Sequence, residues 1–366
     1  MALQAEYFKK VFRFKFKAET SRGLMEDRTS WFIKLWDDIN PERFGLGECG
    51  PLPGLSLDDT PEFENVLSSV IQKLCELKRH TTFQQFGAST FQRLKETIPP
   101  HFPSITFGVE TAYLDLLQGG RQIIFRNDFL KGKAIPINGL IWMGDTDFMM
   151  DQVHQKIGDG FRCLKLKIGS LDFDMECELL HRIRKQYAAS GITIRLDANG
   201  AFEPADAMSK LQALSNYEIH SIEQPIAPGL PELAGLCERS PIPIALDEEL
   251  IQHENADSKK LLLQKVKPTY IVLKPTLHGG LSGCTQWIDI AENLGIGWWV
   301  TSALESNIGL NSICQFTANY PIRIPQGLGT GAIYENNIES PLRVESGSIS
   351  FDPTRVWNLE MSLSNS

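Results

Sequence analysis

The centre of the chain repeats one pattern, a short apolar segment that ends in charged residues and is followed by enough chain for one helix. Successive side chains of a β-strand point to opposite faces, so Lys165 and Lys167 share a face. The same parity places Arg195, Asp197 and Asn199 on one face of the next segment. The pattern is typical of β-strands in repeated βα units. Five such segments lie about 23 to 30 residues apart, at 163–167, 194–199, 221–225, 244–248 and 271–274.

Similar segments extend the repeat in both directions. Residues 135–141 predict a first strand, residues 298–301 a seventh and residues 324–328 a weaker eighth. Helices fit between the strands, for example at 173–189 and 204–215. We therefore expect an α/β fold in which the strands close into a TIM-type barrel. The charged strand ends would then meet at the C-terminal mouth, where the active sites of such barrels lie.

The first third of the chain follows a different pattern. Alternating apolar and polar positions predict strands at 7–20 and 31–36, and a third strand that ends near Cys49. Helical spacing then predicts one helix with a basic end at 78–80 and another helix at 104–117. Strands followed by helices indicate an α+β unit.

Length and these patterns suggest a domain division. A chain of 366 residues exceeds a usual single core and has room for a barrel of about 250 residues and a smaller domain. We expect an α+β capping domain at 1–130 and the barrel at 131–337. Residues 338–366 contain a last strand pair that we expect to return to the capping domain and complete its sheet. The Gly- and Pro-rich segment 47–56 is interpreted either as a lid or as an ordinary surface connection.

Composition excludes several kinds of partner. The net charge of −9 and the pI near 5.4 disfavour nucleic acid, and no apolar run reaches the ~18–20 residues of a membrane span. The first residues lack the ordered regions of a signal peptide. The seven cysteines include no Cys-x-x-Cys pair, so we expect reduced thiols in a cytoplasmic protein rather than zinc or disulfides. The sequence does not predict an oligomeric state.

Three acids at successive strand ends are the strongest chemical feature. Asp197, Glu223 and Asp247 would converge as hard oxygen ligands, which suits Mg²⁺ and leaves Mn²⁺ as a substitute. Buried carboxylates without a partner are costly, so three together need a cation. The alternative is that they pair with lysines in a salt-bridge network. Asn199 and Glu248 lie close by in the sequence, and we expect them to support the ligands rather than bind the metal.

Three lysines accompany the acids. Lys165 and Lys167 on the second strand would face Lys274 on the sixth strand across the mouth. A single lysine at a strand end is usually a surface residue, but three that point into one barrel are not explained in that way. A lysine that acts as a base must lose about three pKa units from ~10.4, which corresponds to roughly 4 kcal/mol. Like charge and exclusion of water would supply that change, and the combination indicates removal of a proton α to a carboxylate.

One family carries the same set of motifs. Members of the enolase superfamily combine such bases with magnesium-stabilised enediolates. The chain resembles that superfamily, in its muconate-cycloisomerase-like branch, at Lys165-Leu-Lys167, Asp197-Ala-Asn199, Glu223-Gln-Pro225, Asp247-Glu248 and Lys274. The resemblance covers nearly the whole chain and implies a modified (β/α)₇β barrel of the TIM type with an N-terminal α+β capping domain. It also implies that the three acids bind Mg²⁺ and that Lys167 and Lys274 flank the substrate.

Within that branch, four stretches resemble the o-succinylbenzoate synthase family, which serves menaquinone biosynthesis. They are residues 138–143, 195–200, 301–306 and 326–331. Dipeptide epimerases of the branch typically carry Asp-x-Asp at the eighth strand, where it binds a substrate ammonium group. This chain has Gly327-Leu-Gly329 there, which suits an anionic substrate.

The resemblance implies a lyase that acts on a small carboxylate, the syn dehydration of 2-succinyl-6-hydroxy-2,4-cyclohexadiene-1-carboxylate. Lys167 would take the α-proton and then protonate the departing hydroxyl, while Lys274 would stay protonated on the opposite face. Lys165 would contact the carboxylate. Candidate contacts for the succinyl tail are Ser302 and Gly327, and Arg195 is a candidate support residue.

Other activities fit the same residues. Lys167 and Lys274 could act as bases on opposite faces in an N-acylamino acid racemase or a dipeptide epimerase, and a cycloisomerase is a further alternative. Either lysine could instead form a Schiff base in an aldolase. A barrel that serves only as a binding or scaffolding protein is the non-enzyme alternative, but it gives three acids and three lysines at one rim no purpose.

Overall fold

The structure is a computed structural model that describes residues 3–20, 23–77 and 88–359. It begins with an antiparallel sheet followed by helices, as the sequence predicts for the capping domain. The elements are β1 (Leu3–Thr20), β2 (Gly23–Asp37), β3 (Asn40–Cys49), α1 (Phe63–Glu76), α2 (Ala88–Glu96) and α3 (Pro103–Gln118). The sheet order is β1-β2-β3. The basic helix end that we predicted at 78–80 lies outside the described residues.

Close packing of α3 on β3 builds the core of this first unit. A Cβ atom at Gly47 of β3 would lie 2.0 Å from the Gly108 carbonyl oxygen of α3, so only a glycine permits this approach. Leu35 of β2 and Val109 of α3 are buried in the same core cluster. Helix α3 ends at Gly119, whose φ of 112° is readily accessible only to glycine.

After the short strand β4, the rest of the described chain alternates strands and helices until its last two strands. Its elements are β4 (Ile135–Pro136), β5 (Gly139–Ile141), α4 (Thr146–Gly158), β6 (Cys163–Lys167), α5 (Phe173–Gln186), β7 (Thr193–Asp197), α6 (Pro204–Leu214), β8 (Ser221–Glu223), α7 (Glu232–Arg239), β9 (Ile244–Leu246), α8 (Ala256–Val266), β10 (Tyr270–Leu273), α9 (Gly280–Asn293), β11 (Gly297–Val300), α10 (Asn307–Thr317), β12 (Leu342–Glu345) and β13 (Ser348–Phe351). Strands β5 to β11 form one parallel sheet in the order β11-β10-β9-β8-β7-β6-β5. A helix follows each of these strands, as predicted.

Gln326 and Gly327 occupy the eighth strand position and close the barrel. The Gly327 N–H donates to the Val300 carbonyl at 2.8 Å, and the Gln326 N–H donates to the Pro136 carbonyl at 2.8 Å. Pro325 precedes them and has no N–H to donate, which limits the ladder at this position. The weak eighth strand predicted at 324–328 is therefore present as a short pairing. The (β/α)₇β arrangement that the resemblance implied is confirmed.

Strand parity separates the two surfaces of the barrel wall. Leu164 and Leu166 of β6, and Leu196 of β7, belong to the large hydrophobic core between strands and helices. Lys165 and Lys167 alternate with these leucines and therefore point to the barrel interior, as predicted. In the described part of the chain, no helix has both the length and the apolarity that crossing a bilayer requires.

The C-terminal strand pair corrects one prediction. We expected it to complete the sheet of the capping domain, but β13 pairs with β4, at the start of the barrel, in the three-stranded order β12-β13-β4. The reason is hydrophobic burial, because Ile349 pairs with Ile135 and both are buried in the barrel core. The chain reaches the capping domain only afterwards, where Trp357 packs with the cluster that contains Phe12 and Phe14.

Candidate active site at the barrel mouth

Three carboxylates meet at the C-terminal mouth of the barrel. Asp197 ends β7, Glu223 ends β8 and Asp247 directly follows β9. The parallel register pairs Asp197 with Glu223, which places these strand ends at one level. One carboxylate oxygen of each acid lies within 4.8 Å of the others, and all three side chains are buried. The structure thus brings together the acids that the strand parity selected, and their role as metal ligands stays a prediction.

Two lysines of β6 contact this acidic triad from one side. Lys165 Nζ lies 2.9 Å from Asp197 Oδ2 and also donates to Glu223 Oε2. Lys167 Nζ donates to Asn199 Oδ1 at 2.7 Å and lies 3.3 Å from Asp197 Oδ2. Both side chains are mostly buried, with exposed fractions of 12% and 11%.

Lys274 approaches the triad from the other side. It follows β10, and its Nζ donates to the two carboxylate oxygens of Asp247 at 2.7 and 2.5 Å. Strands β7, β8 and β9 separate β6 from β10 in the sheet, so the triad lies between Lys274 and the β6 lysines. Burial opposes the charge of Lys274, but the carboxylates of Asp247 and Glu248 outweigh burial and raise the pKa of Lys274. Lys274 is therefore an ammonium ion at neutral pH.

The charges of the triad are only partly balanced. Burial opposes the charge of Lys165, but the three carboxylates outweigh burial and raise the pKa of Lys165 above its usual range. Burial likewise opposes the charge of Asp197, but the three lysines outweigh it and lower the pKa of Asp197. At Glu223, burial together with the like charges of Asp197 and Asp247 raises the pKa to about 7, although Lys165 opposes the change. The lysines thus do not satisfy all three carboxylates.

The donor set fits a divalent cation better than a network of ion pairs alone. Glu223 Oε1 is buried and has no hydrogen-bond partner among the described residues. Ion pairs alone would leave this oxygen unsatisfied, which costs about 1–3 kcal/mol or more for a charged group. Carboxylate oxygens are the ligands that Mg²⁺ and similar hard cations prefer. One oxygen from each acid can face a common cation, because those oxygens lie within 4.8 Å of one another.

Polar residues after the strands hold the acids of the triad in place. Asn199 Nδ2 donates to Glu248 Oε1 at 2.8 Å, and the Asn199 N–H donates to Asp197 Oδ1 at 3.2 Å. Sequence reasoning missed Gln224, whose Oε1 accepts the Asp247 N–H at 3.3 Å. Asn199 and Gln224 have φ values of 45° and 38°, in the left-handed region that asparagine tolerates better than most residues and that is unfavourable for glutamine. Such strain beside two acids of the triad is typical of functional sites.

Arg195 lies two residues before Asp197 on β7, deeper in the barrel, and is completely buried. Its Nη1 donates to the Pro325 carbonyl at 2.9 Å, and its guanidinium stacks 4.2 Å from the Trp299 ring. These contacts connect β7 with β11 and with Pro325, the residue before the eighth strand position.

The two candidate contacts for a substrate tail lie near the eighth strand position. Ser302 Oγ shares a hydrogen bond of 2.6 Å with Thr330 Oγ1. A Cβ atom at Gly327 would lie 2.2 Å from Thr301 Oγ1, so the close approach of the neighbouring strand already requires a glycine there. Contact between a substrate and either residue stays a prediction.

The segment after β3 lies over the barrel mouth. Leu52 is buried, and Leu55 packs against Ile251, Leu277 and Ala303, which come from the connections after β9, β10 and β11. The segment is therefore not an ordinary surface connection, and its opening as a lid stays a prediction.

Sequence reasoning also missed Arg28, which holds the base of this segment. Its guanidinium donates to the carbonyls of Gly50 and Ala303 and so joins the capping domain to the barrel rim. Arg28 is a charged residue that is almost completely buried in a strand, and such burial would have indicated a structural role. The sequence alone does not show which positions are buried.

Comparison with known proteins decides the family. Residues 149–354, more than half of the chain, match the family model described as enolase C-terminal domain-like. The chain belongs to the enolase superfamily. An o-succinylbenzoate synthase of Desulfotalea psychrophila is 43% identical over 365 residues, which cover 94% of this superfamily member and 98% of that protein. An o-succinylbenzoate synthase of Vibrio cholerae is 25% identical and matches 93% of each chain.

Solved structures agree with this assignment to the enolase superfamily. The crystal structure of MenC from Desulfotalea psychrophila has a TM-score of 0.86 at 40% identity and covers 96% of this chain and 100% of that chain. A muconate lactonizing enzyme of Pseudomonas fluorescens has a TM-score of 0.82 at 21% identity, with 99% and 98% covered. The L-Ala-D/L-Glu epimerase of Bacillus subtilis has a TM-score of 0.81 at 18% identity, with 96% of both chains covered. The last two likenesses support the fold alone.

Proposed function

We propose that this chain is an o-succinylbenzoate synthase, a carbon–oxygen lyase that dehydrates 2-succinyl-6-hydroxy-2,4-cyclohexadiene-1-carboxylate for menaquinone biosynthesis. The observation that carries the proposal is the 43% identity with the Desulfotalea synthase over 94% of the chain. The geometry supports the same chemistry, because lysines lie on both sides of three buried carboxylates that suit a divalent ion.

Lys167 is the proposed base and acid of the reaction. Its Nζ is positioned by Asn199 Oδ1 at 2.7 Å and lies 3.3 Å from Asp197 Oδ2. In the neutral form, Nζ takes the proton α to the ring carboxylate, and the resulting ammonium gives that proton to the hydroxyl group, which leaves as water. One C–H bond and one C–O bond break, the ring becomes aromatic, and the lysine returns to its starting state. A single base on one face suits a syn elimination.

The acidic triad is the proposed metal site, with Mg²⁺ as the ion and Mn²⁺ as a substitute. A bound divalent ion would stabilise the negative charge that develops on the substrate carboxylate when the α-proton is removed. Asp197, Glu223 and Asp247 would each contribute an oxygen, and Asn199 and Glu248 would keep those ligands oriented. Lys165, which contacts Asp197 and Glu223, would lie beside the substrate carboxylate.

Lys274 is proposed to stay protonated throughout the reaction. Its ammonium is favoured by Asp247 and Glu248, which raise its pKa despite burial. Located across the triad from Lys167, it would stabilise the enediolate electrostatically and contact the ring as a cation–π partner. Ser302 and Gly327 are the proposed contacts of the succinyl tail, and Arg195 the proposed support beneath the acids.

We also propose that the enzyme works in the cytoplasm on a small carboxylate and not on nucleic acid. The seven cysteines are free, which fits a reducing compartment. The net charge of −9 would repel a nucleic-acid polyanion.

The direct test follows the product. The protein is mixed with the cyclohexadiene substrate and Mg²⁺, and the absorbance of the aromatic product is recorded in the ultraviolet. We expect product to form with Mg²⁺, to stop when a chelator is in excess and to resume when Mg²⁺ is restored. Failure to form the aromatic product at any metal concentration would contradict the proposed reaction.

Racemisation of an N-acylamino acid is the second candidate, because Lys167 and Lys274 lie on opposite sides of the triad and could serve as two bases. In deuterated water, a two-base racemase exchanges the α-proton on both faces of its substrate. Lys274→Arg should abolish racemisation and leave part of the dehydration. Exchange without any dehydration would favour the racemase over the synthase.

A further inference from the structure

Lys274 follows the last residue of β10, where the hydrogen bonds between the barrel strands no longer provide an acceptor for its backbone N–H. On the β11 side, the last bond near it joins the Thr301 N–H to the Leu273 carbonyl at 2.8 Å. On the β9 side, the register ends with Ile271 and Leu246. A buried backbone N–H without an acceptor is costly, so the Lys274 N–H needs a partner from outside the sheet.

His278 provides that partner. The Lys274 N–H donates to His278 Nδ1 at 3.0 Å in a buried contact. The Lys274 carbonyl in turn accepts the N–H groups of Leu277 and His278 at 2.8 and 2.9 Å. Both backbone groups of Lys274 are therefore held by the turn that contains His278, while the tip of its side chain is held by Asp247.

The imidazole of His278 is in the state that this bond requires. Its Nδ1 can accept a hydrogen bond only when that nitrogen is unprotonated, which places the proton of the neutral ring on Nε2. Burial lowers the pKa of His278 well below its usual value, and the nearby charges of Lys274 and Lys259 add to the effect. Nε2 has no hydrogen-bond partner among the described residues, so the polar contact made by this ring is the one to Lys274.

We propose that His278 is a positioning residue for the reaction, because its Nδ1 replaces the missing ladder acceptor and fixes the backbone from which the Lys274 ammonium reaches the substrate. The inference rests on the proposed function of Lys274. Asp247 is also a proposed metal ligand, so its oxygens would be shared between the ion and the Lys274 Nζ. The orientation of the Lys274 side chain therefore depends on how its backbone is held. A misplacement of about 1 Å at such a group can cost about 10²-fold in rate.

Three variants separate positioning from packing. His278→Leu keeps most of the ring volume and removes the acceptor. His278→Asn places an amide oxygen where Nδ1 lies, whereas His278→Gln extends its amide to the position of Nε2 and serves as the matched control. The readouts are kcat and KM for the dehydration and the melting temperature of each variant. A second measurement, ¹⁵N spectroscopy of the histidine-labelled protein, assigns the tautomer of His278 by comparison with the variants.

We expect kcat of His278→Leu to fall about 10- to 100-fold with KM changed by less than about threefold. His278→Asn should recover most of that loss and His278→Gln should not, although both polar variants melt at similar temperatures. The wild-type ring should carry its proton on Nε2. A wild-type kcat in His278→Leu, equal kcat values in the Asn and Gln variants, or a proton on Nδ1 would overturn the proposal. If the wild-type protein lacks dehydratase activity, the proposed function fails, and the tautomer measurement still decides whether Nδ1 is the acceptor.

Discussion

At the residue scale, the acids of the triad form ion pairs with different lysines, so the replacement of each acid should remove different contacts. Among the described lysines, Asp197 forms ion pairs with Lys165 and Lys167, whereas Asp247 forms one with Lys274. A change at Asp247 should therefore disturb the proposed metal site and the ion pair of Lys274 while the direct ion pairs of the β6 lysines remain. This makes Asp247 the most informative of the three acids to alter.

Asp247→Asn should weaken Mg²⁺ binding by at least about tenfold, because a neutral amide replaces a charged oxygen ligand. The same change removes the main charge that raises the pKa of Lys274, so that pKa should fall. Calorimetric titration with Mg²⁺ measures the first effect. Asp206→Asn is the control, since Asp206 is half exposed and pairs with Lys210 on the barrel surface. Equal affinities in Asp247→Asn and the wild type would contradict the assigned ligand.

Lys167→Ala should lower kcat by about 10²–10⁴, the usual contribution of a positioned general acid or base. Mg²⁺ binding should persist, because the three carboxylates remain. Steady-state assays of product formation measure the loss, and Lys210→Ala provides a control at a lysine remote from the triad. Retention of more than about a tenth of the wild-type kcat would show that another group moves the proton.

The acids and lysines could be predicted from the sequence because alternation along a strand is a local property, and the barrel then brings the strand ends together. Gln224 and His278 could not be predicted in this way. Gln224 follows β8 and reaches the backbone after the neighbouring strand β9, whereas His278 turns back to the backbone at the end of its own strand, β10. Periodicity carries no information about such turns. Arg28 could not be predicted for a related reason, because its hydrogen-bond acceptors, the carbonyls of Gly50 and Ala303, lie in two loops that are distant in the sequence.

At the element scale, strands predicted as single units can divide between partners. Residues 135–141 predict one strand, but Ile135 pairs with β13, Ile137 bridges to Gln326 and the segment from Gly139 pairs with β6. The apolar pattern shows that these residues are buried but not which neighbour covers them. Our wrong prediction for the C-terminal strand pair has the same cause. Any exposed sheet edge would satisfy the backbone hydrogen bonds of these strands, so the sequence did not show that β13 pairs with β4.

A buried acid of α3, Asp115, joins this helix to β3 by a hydrogen bond. Asp115 of α3 accepts the Leu46 N–H of β3 at 3.1 Å and a bond from Gln122 Nε2 at 2.7 Å. Burial raises the pKa of Asp115 to about 7, although hydrogen bonds from the backbone oppose the change. The folded state therefore binds its proton more tightly than the unfolded state, whose Asp has a pKa near 3.9.

The sign of the pH effect follows from this difference. Between pH 4 and 7 the folded state retains a proton that the unfolded state has lost, so the Asp115 contribution to stability is present at low pH and is lost as the pH rises. We expect the stability difference between the wild type and Asp115→Asn to fall by roughly 1.4 kcal/mol per pH unit in this window. Urea unfolding of both proteins from pH 4.5 to 7.5 measures it. A difference that does not change with pH would contradict the raised pKa.

At the scale of the whole molecule, Glu48 joins the capping domain to the barrel. This buried residue of β3 accepts the N–H groups of Ser306 and Gly309 at the start of α10, both at 3.0 Å, and the Ser306 hydroxyl at 2.6 Å. Ser30 of β2 donates to the same carboxylate at 2.8 Å. A negative charge at a helix N-terminus is favourable, and here the helix belongs to the other unit.

Glu48→Ala should lower the free energy of unfolding by about 2–4 kcal/mol, because several buried donors lose their acceptor at once. The part of the segment 47–56 that follows β3 and covers the mouth begins two residues later, so activity should fall together with stability. Glu64→Ala is the control in the same domain, since Glu64 forms an exposed pair with Lys9 that contributes less than about 1 kcal/mol. Equal losses in the two variants would show that Glu48 does not connect the units.

We propose that Asp197, Glu223 and Asp247 share one divalent ion between lysines on two sides. Crystals grown with Mn²⁺ test this arrangement, because the anomalous signal of the ion identifies its position without reference to activity. We expect one strong peak within about 2.0–2.3 Å of one oxygen of each acid. No peak at the triad, or a peak held elsewhere while the three acids stay paired with the lysines, would contradict the claim.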